Sequence, residues 1–182
     1  TITIASGATL ANAGTATGFG SAFTTVAVVA TSSGTAINIA TGLPAGICQF
    51  TISMDAVEAD GNTSNNFLIQ LGDSGGFETA GYTSGTIRID SGTDNFFSST
   101  EGMLMIQNGG AEVIRSVWLF TKHGTGNIWA MNNVATSYAV TNIIASAGTK
   151  TLSGELTQIR LTTEGTSSTF AGGTVACQYT VA

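Results

Sequence analysis

Gln49-Phe50-Thr51-Ile52-Ser53-Met54 alternates polar with apolar at every step. In an extended chain successive side chains point to opposite sides, so Phe50, Ile52 and Met54 share one face while Gln49, Thr51 and Ser53 share the other. A helix would not divide these residues in that way, so the segment is a strand with one buried face.

The pattern recurs in both directions along the chain. Asn66-Phe67-Leu68-Ile69-Gln70-Leu71, Thr86-Ile87-Arg88-Ile89-Asp90, Gln158-Ile159-Arg160-Leu161-Thr162 and Val175-Ala176-Cys177-Gln178-Tyr179-Thr180-Val181 each predict a strand with its apolar positions turned inward. Further strands are expected at 1–4, 23–29, 36–39, 113–120, 127–131, 137–144 and 150–152, separated by Gly, Asn, Asp or Ser clusters. About 10–12 short strands with turn signals between them make an all-β fold, an antiparallel β-sandwich or jelly roll.

A chain of 182 residues fits one sandwich domain, with residues 1–20 expected to extend from it as an N-terminal arm. Only 9% of residues are charged, while 30 Thr, 24 Gly and 17 Ser are present. A hydrophobic fraction of 42% and nine Phe supply enough apolar area to fold. All sixteen charged residues lie between Asp55 and Glu164, and the uncharged ends carry strand-like alternation suited to lying against a neighbouring subunit.

Net charge is −6, and the five basic residues (Arg88, Arg115, Lys122, Lys150, Arg160) are scattered. No basic patch exists to neutralise phosphates, so neither nucleic acid nor an anionic membrane is an expected partner. The longest apolar run, Val26 to Ala30, is far too short to insert in a bilayer, and any export signal is expected to be absent or already removed.

Gly72-Asp73-Ser74-Gly75-Gly76 are the residues that surround the nucleophile in chymotrypsin-like serine proteases. Such chemistry needs a histidine base oriented by a carboxylate, and the one histidine, His123, follows Ser74 in a turn-like context, Lys122-His123-Gly124-Thr125-Gly126. Phe77 also stands where that family has proline. A loop closing the strand at 66–71 is therefore expected, in which glycines permit positive φ and Asp or Ser bonds nearby amides.

One histidine and two cysteines 129 positions apart match no zinc spacing. The acidic run Asp55-Ala56-Val57-Glu58-Ala59-Asp60-Gly61-Asn62 lacks the alternating carboxylates and closing glutamate of an EF-hand, and Asp60-Gly61 predicts a hairpin turn. No pair among the eleven acids has a context that nominates it for sugar hydrolysis. No cofactor, no metal and no enzymatic activity are expected.

Parity puts Cys48 with Phe50 and Cys177 with Val175, so both thiols are expected to point inward, either bridged or, as suits assembly in a reducing cytosol, free. Of the large aromatics, Trp118 in Val117-Trp118-Leu119-Phe120 is expected in the core. Tyr82, Trp129 and Asn127, with Tyr138, are the candidates for stacking on a ligand or anchoring an interface, because they lie near strand ends or in loops.

Three segments together resemble a group of small phage virion proteins, mostly tail or tail-fibre proteins. They are Ile69-Gln70-Leu71-Gly72-Asp73-Ser74-Gly75-Gly76-Phe77-Glu78-Thr79-Ala80-Gly81-Tyr82, the pattern from Trp118 through Gly126-Asn127-Ile128-Trp129, and residues 148–163 followed by Thr169-Phe170-Ala171-Gly172-Gly173-Thr174-Val175. The resemblance covers residues 66–182 and implies a β-sandwich at the virion surface, assembled in the host cytoplasm. Phage analogues lead us to expect a homotrimer in contact with other virion proteins, and because loops on a rigid sandwich commonly carry recognition, loops 72–85 and 122–133 are the candidates for binding a host cell-surface glycan or protein. Two other roles are compatible with the residues: a capsid decoration or cement protein of the phage head, and a lectin-like carbohydrate-binding module.

Overall fold

The computed structural model describes residues 23–60, 66–90, 92, 94–107, 112–137, 142–166 and 168–182. In chain order the strands are β1 (Thr24–Thr25), β2 (Val29–Ala30), β3 (Ala36–Thr41), β4 (Ile47–Asp60), β5 (Phe67–Asp73), β6 (Gly76–Phe77) and β7 (Tyr82–Ile89). They continue with β8 (Asn95–Ser99), β9 (Met103–Met105), β10 (Ile114–His123), β11 (Ile128–Ser137), β12 (Ile143–Thr151), β13 (Gln158–Thr163) and β14 (Thr169–Val181). A 3-10 turn, Glu164–Thr166, separates the last two.

The strands form two antiparallel sheets packed face to face, an all-β sandwich. The larger runs β1-β14-β4-β10-β11-β12-β7-β8, with β2 also on β14, and the smaller runs β3-β13-β5-β6, with β9 also on β5. No helix among the described residues is long and apolar enough to cross a membrane.

The opening stretch lies in the middle of β4, where its alternation sets the core. Phe50, Ile52 and Met54 are buried and meet Trp118, Phe120, Trp129 and Met131 from β10 and β11. From the smaller sheet come Phe67, Ile69 and Leu71 of β5 and Ile159 and Leu161 of β13. Phe50 and Phe120 are register partners whose rings stack with centroids 4.3 Å apart, and Trp129 tilts against Phe50 at 5.2 Å. Such pairs add about 0.5–1.5 kcal/mol each beyond area burial.

Several expectations are corrected. β4 and β14 are long, at 14 and 13 residues, rather than short. The segments at 137–144 and 150–152 do not form two strands. Residues 143–151 are one continuous strand, β12, whose small residues are required because a Cβ on Gly148 would lie 2.7 Å from Met103 Sδ. β8 and β9 are additional to the expected strands, and the stretch at 23–29 makes only two brief pairings with β14.

The predicted phase of Thr86–Asp90 is inverted. Thr86 and Arg88 are buried, whereas Ile89 is 49% exposed. The polar residues face inward because each has a partner there: Ser146 for Thr86, and Glu112 for Arg88.

Cys177 is buried as expected, but Cys48 is only half-buried beside Thr180, and the two thiols are free. A register shift between Thr180 and Val181 carries this end of β4 out of phase. The strand expected at 1–4, the arm at 1–20, Gly61 of the expected hairpin turn and Tyr138 lie outside the described residues.

Candidate functional site

Inward burial of one parity on β10, β11, β12 and β7 leaves the other parity on the outer face of the larger sheet. That face exposes large apolar side chains among uncharged polar ones. Val117, Val134, Ile143, Ile89 and Phe96 are between 49% and 71% exposed.

Strand register aligns these side chains into rows. Ser53, Val117, Val134, Ala145, Ile87 and Phe96 are successive partners across six strands. The adjoining row is Thr51, Leu119, Asn132, Ala147, Gly85 and Ser98, and the next holds Gln49, Thr121, Ala130, Thr149 and Thr83. None of the three rows carries a charge. Alanines and Gly85 keep the face shallow, and the Phe96 ring lies over Gly85, where a Cβ would stand 3.1 Å from it. The nearest ion pair, Arg115 with Asp55 at 2.8 Å, sits at the rim with both partners exposed.

Five strand spacings of roughly 4.8 Å across and the four rises of roughly 3.4 Å between the outermost of the three rows give about 330 Å² of uncharged face. Within it the exposed Val117, Val134 and Phe96 stand on one row, and the neighbouring rows mix apolar with uncharged polar residues. Parity supplies a signal for it, because Val117 and Val134 are the outward neighbours in sequence of the inward Trp118 and Asn133, yet sequence reasoning passes over both in favour of the aromatic rings.

The protease-like motif forms something different. Asp73 pairs with Gly76 across the β5–β6 hairpin, and Ser74 and Gly75 make its turn. Asp73 Oδ1 accepts the Gly75 amide at 2.7 Å, and Oδ2 accepts the Ser153 hydroxyl at 2.7 Å. Ser153 also donates its amide to Glu78 Oε1 at 2.7 Å, while Glu78 pairs with the nearly buried Lys150. Lys150 in turn donates to the Ala80 carbonyl and lies 4.9 Å from the Tyr82 ring centroid. The network fastens the hairpin to the β12–β13 connection.

Hydrogen bonds from the Ser153 hydroxyl and then the Gly75 and Gly154 amides hold the Asp73 carboxyl below its ordinary range. Burial pushes Glu78 upward, but Lys150 and Ser153 more than offset it and leave Glu78 lowered as well. Both carboxylates are therefore ionised at neutral pH, and neither holds a proton to donate. Ser74 is exposed, and no hydrogen bond joins it to His123, which is exposed at the end of β10.

The residues predicted for surface recognition are placed differently. Tyr82 is 2% exposed, with its hydroxyl accepting the Leu71 amide at 2.8 Å and donating to the Glu78 carbonyl at 3.0 Å. Trp129 is 1% exposed and packs on Phe50. Both are core residues, because their strand positions share the inward parity of Ser84 and Met131. Asn127 is half-buried, and its carbonyl accepts the Leu152 amide at 2.9 Å. The structure brings none of the three into a shared surface.

Among the described residues no group of three or more His, Cys, Asp or Glu side chains is placed to hold a metal ion. No family model, curated protein or solved structure matches the chain, so its function is read from its own residues.

Proposed function

We propose that the chain is a non-enzymatic structural module of a bacteriophage virion, of the tail or tail-fibre type, which self-associates through the outer face of its larger sheet. The observation that carries self-association is the in-register row Val117, Val134, Ala145, Ile87 and Phe96, apolar and open across five strands.

A second copy is the occupant that suits this face. Two molecules of net charge −6 repel through most of their surfaces, but these rows carry no charge and meet without that penalty. The rows would form the uncharged centre of an interface whose standard size is roughly 800 Å² per partner. The virion assignment is supported by the resemblance of residues 66–182 to small phage proteins, by the low charge and by the strand-rich sandwich.

The test joins light scattering with microscopy. At micromolar concentration the wild-type protein should show a multiple of the 18.4 kDa protomer mass, threefold for a homotrimer, and Val134→Asp should reduce it to one. Val134 is 66% exposed, so the variant keeps its fold. A monomeric wild type overturns the assembly face. Immunogold on purified particles should mark the tail; label spread over the head makes the protein a capsid decoration, and unlabelled particles overturn the virion role.

A further inference from the structure

We infer that the outer face of the smaller sheet holds a binding site for a carboxylated sugar, with Arg160 as the anchor for the carboxylate. The site stands on the opposite side of the sandwich from the assembly face and does not depend on that reading.

Its floor is made by two register pairs, Leu68 with Thr162 and Gln70 with Arg160. Thr79, Glu101 and Gly165 complete a pocket of about 340 Å³. That volume lies at the lower end of ordinary small-ligand pockets, about 300–1,000 Å³, and suits a single sugar ring.

Arg160 is held ready rather than spent on a partner. Its Nε donates to Gln70 Oε1 at 2.7 Å, and Gln70 Nε2 donates to the Glu101 carbonyl at 2.7 Å, which fixes the amide that fixes the guanidinium. The Phe77 ring centroid lies 4.5 Å from Arg160 Cζ and braces its plane. The two terminal nitrogens make no hydrogen bond or ion pair among the described residues. Arg88, Arg115 and Lys150 each have a carboxylate partner within 4.0 Å, whereas the half-buried Arg160, like Lys122, has no ion-pair partner at that distance among the described residues.

A planar carboxylate matches the free edge of a guanidinium through two parallel hydrogen bonds. The remaining walls select the rest of the ligand. The Thr79 hydroxyl both donates and accepts, and the Glu101 carboxylate accepts from hydroxyl groups while repelling a second negative charge. A singly charged sugar acid satisfies both ends, whereas inorganic phosphate meets the Glu101 repulsion and leaves the hydroxyl partners unused.

Titration of the full chain with sodium glucuronate, glucose and inorganic phosphate, followed by ¹⁵N–¹H correlation spectra, tests the site. Glucuronate should move the Arg160 Nε–Hε resonance and the amides of Thr79, Glu101 and Gly165, and glucose should not. Arg160→Lys keeps the charge but loses the fork, so affinity should fall at least about tenfold. Thr79→Tyr, at an exposed position, fills the pocket and should abolish the shifts even if Arg160→Lys fails to fold. Val134→Asp should leave them unchanged, which separates this site from the assembly face. Absence of shifts up to roughly 50 mM, where a millimolar complex is saturated, overturns the site. So does phosphate acting as strongly as glucuronate, or shifts that survive Thr79→Tyr.

Discussion

Ala56 and Gly173 meet across the β4–β14 ladder, both with positive φ, 53° and 91°. The ladder slips register here, and a Cβ on Gly173 would lie 2.2 Å from the Ala56 carbonyl oxygen. Gly173→Ala therefore forces apart the two longest strands of the larger sheet and should lower stability by about 2–4 kcal/mol. Ala56→Gly relieves an L residue of a left-handed conformation and should raise stability by up to about 1 kcal/mol, less what the freer unfolded chain takes back. Urea midpoints at constant slope give both values, and a Gly173→Ala protein as stable as wild type would show that the slip is not a constraint.

The acid limb of stability should report the hairpin network. Asp73 has an ordinary value of 3.8 and Glu78 of 4.5, and the fold lowers both. A carboxyl lowered in the folded state stabilises that state above its unfolded value and loses the contribution as pH falls through the folded one. Stability should thus hold down to about pH 4.5 and decline below it. In Asp73→Asn the decline should be shallower, starting from a lower plateau. An Asp73→Asn profile parallel to wild type would mean that the bonds from Ser153 and Gly75 carry no linkage.

How much of this was legible in the sequence depended on whether a strand's inner face is apolar. Phe50 and Ile52 lie between Phe120 and Tyr179 and between Trp118 and Cys177, and Met54 beside Val175, so their alternation shows the buried face directly. Thr86 and Arg88 are buried through partners distant in sequence, Ser146 and Glu112, and alternation cannot show those. The same limit hid β9, whose Leu104 amide is satisfied by the Ser84 hydroxyl at 2.7 Å, a contact between segments 20 residues apart. The outward row Val117, Val134, Ile87 and Phe96 was obscured for the complementary reason: once inward phase is assigned to Ile87 and Ile89, that row disappears. The Arg160 pocket depends on register between β13 and β5, which no local pattern encodes.

Burial of both tryptophans predicts the protein's fluorescence. Trp118 donates its Nε1 to Ser116 Oγ at 2.9 Å inside the core, and Trp129 is packed against Phe50. Native emission should be blue-shifted and weakly quenched by acrylamide, with a red shift only on unfolding. Strong native quenching, or quenching removed by Trp129→Phe alone, would return Trp129 to the surface.

Arg88 and Glu112 form the most deeply buried ion pair among the described residues. Arg88 Nη1 lies 3.2 Å from Glu112 Oε1, its Nε lies 3.3 Å from Asp90 Oδ2, and Arg88 and Glu112 are only 2% and 3% exposed. Asn142 Nδ2 donates to the same Glu112 oxygen at 3.1 Å, so the carboxylate is solvated by protein rather than water. Removing one member strands the other charge in a dry site. Glu112→Gln and Arg88→Met should each lower stability by about 3–5 kcal/mol. The double variant Arg88→Met/Glu112→Gln removes both charges and should lose less than the sum of the single changes, by about 0.5–3 kcal/mol of coupling. Chemical denaturation of the four proteins closes the cycle, and strict additivity would mean that Asp90 and Asn142, not the pair itself, hold the two charges in place.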